Sequence, residues 1–140
     1  MIEPVPGQLA PAIDGVRLSI HVVAAAIWVG GQLTLAGLVP TARKLGPDAP
    51  GALARTFARI QWPTYAVLVL TGFWNVAATH SGQPRSWQVL LGVKIAVVAL
   101  AGVSAWLHQR AKTKQALAAW GAMSALSSVA ALVMGVFLAG

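Results

Sequence analysis

The sequence contains no cysteine, and only three of its 140 residues are acidic. Without cysteine the chain can form neither disulfides nor thiolate metal sites. Glu3, Asp14 and Asp48 all lie outside the long apolar stretches, so no pair of carboxylates is available there for general acid and base catalysis. The serines lack the setting of a catalytic triad, and no glycine-rich phosphate loop is present. These absences argue against a hydrolase.

Charged residues are also scarce, at 9%, whereas hydrophobic residues make up 57% of the chain. The apolar residues form four stretches, at residues 16–39, 57–78, 87–107 and 117–138. Each provides about 20 residues, enough for a helix to cross a hydrocarbon core of about 30 Å. Because the connections are short, these helices are expected to form an up-down bundle. The sequence therefore predicts an all-α integral membrane protein, with a surface tail at residues 1–15 and a four-helix transmembrane domain at 16–140.

The basic residues, which give the chain a net charge of +7, follow a topological pattern. The second connection contains only Arg85, whereas seven basic residues flank or fill the first and third connections. These are Arg43, Lys44, Arg55, Arg59, Arg110, Lys112 and Lys114. By the positive-inside rule, the first and third connections are cytoplasmic and both termini face outward. We therefore expect a multi-pass protein of a bacterial-type inner membrane, in contact with the lipid bilayer and not with nucleic acid.

Lys94 is the best functional lead, because it lies inside the third apolar stretch, VLLGVKIAVVALAGVSAW. A charged side chain at the centre of a membrane helix costs roughly 3 kcal/mol on translocon scales, so an intramembrane lysine indicates a functional site by default. The alternative is that Lys94 lies near the helix end and extends its ammonium group to the interface.

Depth along the helices places further polar groups near Lys94. Counting from Arg17 and Trp87 at the outer interface, His21 lies about 6 Å deep and Lys94 about 10 Å deep at 1.5 Å per residue. The second and fourth helices approach the same side with Thr71, Asn75 and Met134. Every helix therefore contributes a polar or ligating group to one layer, although Thr71 and Asn75 could simply bond to neighbouring carbonyl groups.

His21 and Met134 are the candidate metal ligands of this layer. Imidazole with a thioether suits haem iron or cuprous copper. Lys94 could neutralise a haem propionate or bind iron in its neutral form, whereas a cation is an unfavourable neighbour for a copper ion. This favours haem b over copper. Asn75 and Trp28, which lies seven residues after His21, complete the candidate cofactor-binding set.

Three segments resemble the CopD (copper resistance D) domain. HVVAAAIWVGGQL resembles its histidine followed by Trp-x-Gly-Gly, VLVLTGFWNVAA is similar to its Thr-Gly followed by Asn, and WQVLLGVKIAVVALAG matches its Leu-Leu-x-x-Lys. The order of His, Trp-x-x-Gly and intramembrane Lys is also similar to the HemJ family of haem-binding membrane proteins, which are tied to protoporphyrinogen oxidation. The resemblance covers about residues 17–140 and implies that His21 and Lys94 are the functional pair.

These patterns predict a haem b-binding membrane protein with a redox or electron-transfer role near the outer face. Its partner would be a quinone, a porphyrin or a redox protein. One alternative is a copper transport or homeostasis protein that uses His21 and Met134. Another is a cofactor-free structural subunit of a larger membrane complex, packed through small-residue seams such as Ser124, Ser128, Ala131 and Gly135. A homodimer is compatible with all three hypotheses, and catalysis is left open.

Overall fold

The computed structural model describes residues 7–139, and within this range every regular element is a helix. The four helices are α1 (Ala12–Leu45), α2 (Ala49–Thr79), α3 (Arg85–Arg110) and α4 (Lys114–Ala139). Three of them, α1, α3 and α4, are long and apolar enough to span a membrane. The predicted all-α class with four helices is confirmed.

The helices extend past the apolar stretches that predicted them. α1 begins at Ala12, inside the range predicted as a surface tail, and Pro11 directly precedes its first turn. Asp14 lies in that first turn, where its negative charge complements the helix dipole. α2 is 31 residues long, but Arg55, Arg59 and Gln61 make its first half more polar than the other helices.

The helices form a bundle in which sequence neighbours α1 and α2, and α3 and α4, pack most extensively. α1 packs against α2 and α4, and α3 packs against α4. Hydrogen bonds from Tyr65 to the carbonyl oxygen of Val98 and from Trp62 to Gln109 link α2 to α3. Small side chains fill most of the buried core, and Trp28 is its one large, fully buried hydrophobic residue within 7–139. Large apolar side chains on every helix point outward, as expected of a bundle whose solvent is lipid.

Gly102 gives Tyr65 the space to reach α3, which leads to a stability prediction. The Tyr65 hydroxyl donates to Val98 at 2.8 Å, and a Cβ atom at position 102 would overlap that hydroxyl. Gly102→Val is therefore expected to destabilise the bundle by about 1–3 kcal/mol through overpacking. Thermal unfolding in detergent measures the effect. Gly92→Val is the matched control on the same helix, because a Cβ there meets nothing within 4 Å. Equal melting temperatures for the two variants would contradict the packing described here.

Candidate functional site

Thr71 of α2 holds the imidazole of His21 on α1. His21 Nδ1 lies 2.8 Å from Thr71 Oγ1, and the same hydroxyl donates to the carbonyl oxygen of Val67 at 2.7 Å. A hydroxyl has one hydrogen, so Thr71 Oγ1 must accept its second bond from Nδ1–H. A neutral imidazole protonated at Nδ1 keeps its lone pair on Nε2.

This arrangement is the one found around metal-ligating histidines. Such a histidine donates its other ring N–H to an oxygen, which fixes both the tautomer and the orientation of the ring. The next residue on α2, Gly72, also faces the His21 ring, since a Cβ at this position would make an ordinary contact with Cε1 at 3.5 Å. The helix pair therefore orients the imidazole before any ligand binds.

Lys94 of α3 lies against α4. A Cβ atom at position 135 would be 2.9 Å from Lys94 Nζ, so Gly135 provides the space for the ammonium group. The Lys94 side chain is half-buried. Within residues 7–139 no carboxylate forms an ion pair with Lys94.

The register of α1 against α4 places His21 and Lys94 at one level. Trp28 Nε1 donates to Ser128 Oγ at 2.8 Å, which aligns these two positions. Because α1 and α4 are antiparallel, seven residues back from Trp28 corresponds to seven residues forward from Ser128. His21 is therefore level with Gly135, the residue that contacts Lys94. The polar layer defined by His21, Thr71 and Lys94 is thus drawn from three helices.

Two other predicted residues border this layer. Asn75 lies one turn beyond Thr71 on α2, and its Oδ1 is buried without a hydrogen-bond partner in the described part of the chain. Met134 is half-buried and directly precedes Gly135 on α4. Each is placed close to the level of His21 by its position along the helix.

Trp28 belongs to a different cluster, deeper in the bundle. It is 2% exposed, and its ring centroid lies 4.5 Å from that of Tyr65 and 6.0 Å from that of Trp62. Seven residues separate it from His21, which is about 10 Å along a helix. The structure therefore does not bring Trp28 into the polar layer and gives it a packing role instead.

The small-residue seam of α4 packs inside the bundle. Gln32 of α1 donates to Ser128 at 3.2 Å and accepts from the hydroxyl of Ser124 at 2.9 Å. Ser124, Ser128 and Ala131 are all buried. These contacts join α1 to α4 and show that the seam serves this bundle. Gln32, which the sequence interpretation missed, is the polar link between them.

Arg17 is the other residue that the sequence interpretation missed, since it served only to mark the outer interface. Its side chain is 4% exposed, and Nη2 lies 2.9 Å from Asp14 Oδ1. Nε and Nη1 are buried and have no hydrogen-bond partner among residues 7–139. The spacing of Arg17, His21, Ala24 and Trp28 by four, three and four residues indicates one helix face, and it could have revealed the burial of Arg17.

No protein family, characterised protein or solved structure matches this chain. The resemblance to the CopD and HemJ families therefore stays a prediction. What the polar layer can bind is therefore inferred from its donor set, meaning the side chains in it that could ligate a metal.

That donor set offers few protein ligands to a bare metal ion. Within residues 7–139 no three His, Asp or Glu side chains cluster as metal ligands. A copper ion takes most of its ligands from the protein, and the layer offers only His21 and Met134. A haem brings its own porphyrin nitrogens to the iron and needs only one or two axial protein ligands.

Proposed function

We propose that this protein binds haem b within its four-helix bundle and that His21 is an axial ligand through Nε2. The observation that carries the proposal is the Thr71-oriented imidazole, which keeps the Nε2 lone pair available at the level of the one lysine inside an apolar stretch. Met134 would be the candidate second ligand, and Lys94 the candidate partner for a propionate. Asn75 lies at the edge of the same site.

The proposal includes the membrane topology. Besides α1, α3 and α4, α2 would also cross the membrane, and its apolar second half packs beside α1. The basic residues flank the α1–α2 and α3–α4 connections, which supports a cytoplasmic position for these two connections and an outward position for both termini. The haem would then lie toward the outer face of a bacterial-type inner membrane.

A haem held here would supply one-electron redox chemistry. The chain's own residues would orient the imidazole that ligates it and place positive charge beside its carboxylates. A quinone or a redox protein at the outer face is the proposed electron partner. A second copy of the chain or a larger membrane complex would cover part of the apolar outer surface.

Absorption spectroscopy of the detergent-purified protein, combined with metal analysis, tests this proposal. We expect a Soret band that shifts on reduction with dithionite, and iron in proportion to haem. Absence of the band, even after haem supplementation, would end the proposal. Copper without haem would support the transport hypothesis instead, and absence of both would support a structural subunit.

Removing the Thr71 hydroxyl should weaken haem binding without removing the iron ligand. Thr71→Val keeps the shape of the side chain but frees His21 Nδ1, and loss of such an outer-shell partner typically costs 10–100-fold, so we expect about tenfold weaker affinity. Titration of the haem-free protein measures it. Thr79→Val is the control, because Thr79 also donates to a helix carbonyl but lies exposed at the end of α2. An affinity equal to that of the control would contradict the role of Thr71.

A further inference from the structure

The guanidinium of Arg17 is buried with part of its hydrogen-bonding capacity unused. Arginine carries five N–H donors, and buried polar groups are nearly always paired. Asp14 contacts only Nη2, and its own carboxylate is 39% exposed. Nε and Nη1 remain without a partner in the described residues. An arginine that only anchored the helix would extend its head group toward the interface and would not be covered in this way.

Asn75 leaves a second unpaired group at the same level. The His21–Thr71 pair aligns α1 with α2, and because the helices are antiparallel, four residues back from His21 corresponds to four residues forward from Thr71. Arg17 is therefore level with Asn75, whose Oδ1 is also buried and unpaired within residues 7–139. The amide oxygen is an acceptor, so the donors left unpaired at this level are those of the Arg17 guanidinium.

The unpaired donors of the Arg17 guanidinium, one turn outside His21, indicate a site for an anion. The forked guanidinium geometry matches a carboxylate, and such charge-assisted bonds are about twice as strong as neutral ones. Among the chain's own carboxylates, Asp14 already contacts the far side of the guanidinium. Asp48 precedes α2 at the opposite end of the bundle, and Glu3 lies outside the described residues.

We infer that Arg17 binds a carboxylate of the ligand that His21 holds, which for haem b is a propionate. This inference rests on the proposed function. It moves the propionate-binding role outward from Lys94, which is level with the imidazole itself, to a residue one helical turn closer to the outer end of α1. Lys94 then remains available beside the imidazole.

A comparison of the affinities for haem b and for its dimethyl ester, which lacks both carboxylates, tests whether Arg17 binds a carboxylate. Each is titrated into haem-free protein in detergent, and the Soret band reports binding. Wild-type protein is expected to bind haem at least about tenfold more tightly than the ester, as for loss of a hydrogen bond to a charged group. Arg17→Gln should remove that preference by weakening haem binding alone. Arg85→Gln, an exposed arginine at the start of α3, is the matched control and should keep the preference.

Asp14→Asn is a second variant, and its expected effect on haem affinity is opposite to that of Arg17→Gln. Removal of the carboxylate that competes for the guanidinium should tighten haem binding and leave ester binding unchanged. Equal affinities of wild-type protein for haem and ester would overturn the role of Arg17 while the haem site stands. Equal weakening of both ligands by Arg17→Gln would also overturn it, because Arg17 would then act on both ligands alike and not on the carboxylates. Binding of neither ligand by wild-type protein would overturn the proposed function as well.

Discussion

Changing His21 to alanine is expected to abolish the Soret band of the purified protein and leave the helical bundle folded. The methyl group cannot ligate iron, and His21 is the only histidine in the polar layer, since His80 lies in the α2–α3 connection and His108 near the end of α3. The imidazole is half-buried, so its removal should cost little stability. Absorption spectra and circular dichroism of the same sample measure the two effects.

Two controls separate ligation from general damage to the site. His80→Ala, at an exposed position, should keep the full band. His21→Gly with free imidazole added should recover part of it, because the small molecule can occupy the space of the lost ring. A Soret band of wild-type intensity in His21→Ala would show that another residue holds the iron.

Truncating Trp28 is expected to have the largest effect on stability, at about 3–5 kcal/mol, as for other buried aromatic residues changed to alanine. The ring contacts Tyr65 and Trp62, and its N–H donates to Ser128 across the α1–α4 contact. Replacement by alanine would remove these contacts and leave a cavity at the centre of the bundle. Equilibrium unfolding in mixed detergent micelles measures the change in free energy.

Trp74→Ala is the matched control for this prediction. Trp74 is also an indole on a helix of the bundle, but it is 43% exposed and therefore loses far less packing. The loss of unfolding free energy in Trp28→Phe should lie between those of Trp28→Ala and Trp74→Ala. The phenylalanine keeps an aromatic ring but loses the hydrogen bond, which is worth about 1 kcal/mol in a membrane helix pair. The same unfolding midpoint for Trp28→Ala and Trp74→Ala would show that the inner aromatic cluster does not stabilise the fold.

The helices could be predicted because long apolar runs leave a chain few other structures in lipid. Their ends were less accessible to prediction. α1 continues past the apolar run to Leu45 and includes Arg43 and Lys44, since charged residues near the C-terminus of a helix interact favourably with its dipole. Hydropathy locates the hydrocarbon core, whereas the hydrogen-bonded helix extends beyond it.

Depth along the helices predicted that His21 and Lys94 lie in one layer, because helices that cross a layer bring residues of similar depth to the same level. Trp28 was assigned by its seven-residue spacing from His21, which keeps it on the same helix face but two turns deeper. Arg17 escaped prediction for another reason. An arginine at a helix end normally reaches the interface, so the position of Arg17 on the same helix face as His21 and Trp28 did not by itself predict its burial.

Nitrogen hyperfine spectroscopy tests the ligation of iron by His21 most directly. In the double variant His80→Gln, His108→Gln, His21 is the only histidine of the chain, and it can be labelled selectively with nitrogen-15. Pulsed electron paramagnetic resonance of the ferric, haem-loaded protein is expected to show strong coupling to one labelled imidazole nitrogen. A haem-loaded sample with no coupling to the label would contradict His21 as the axial ligand.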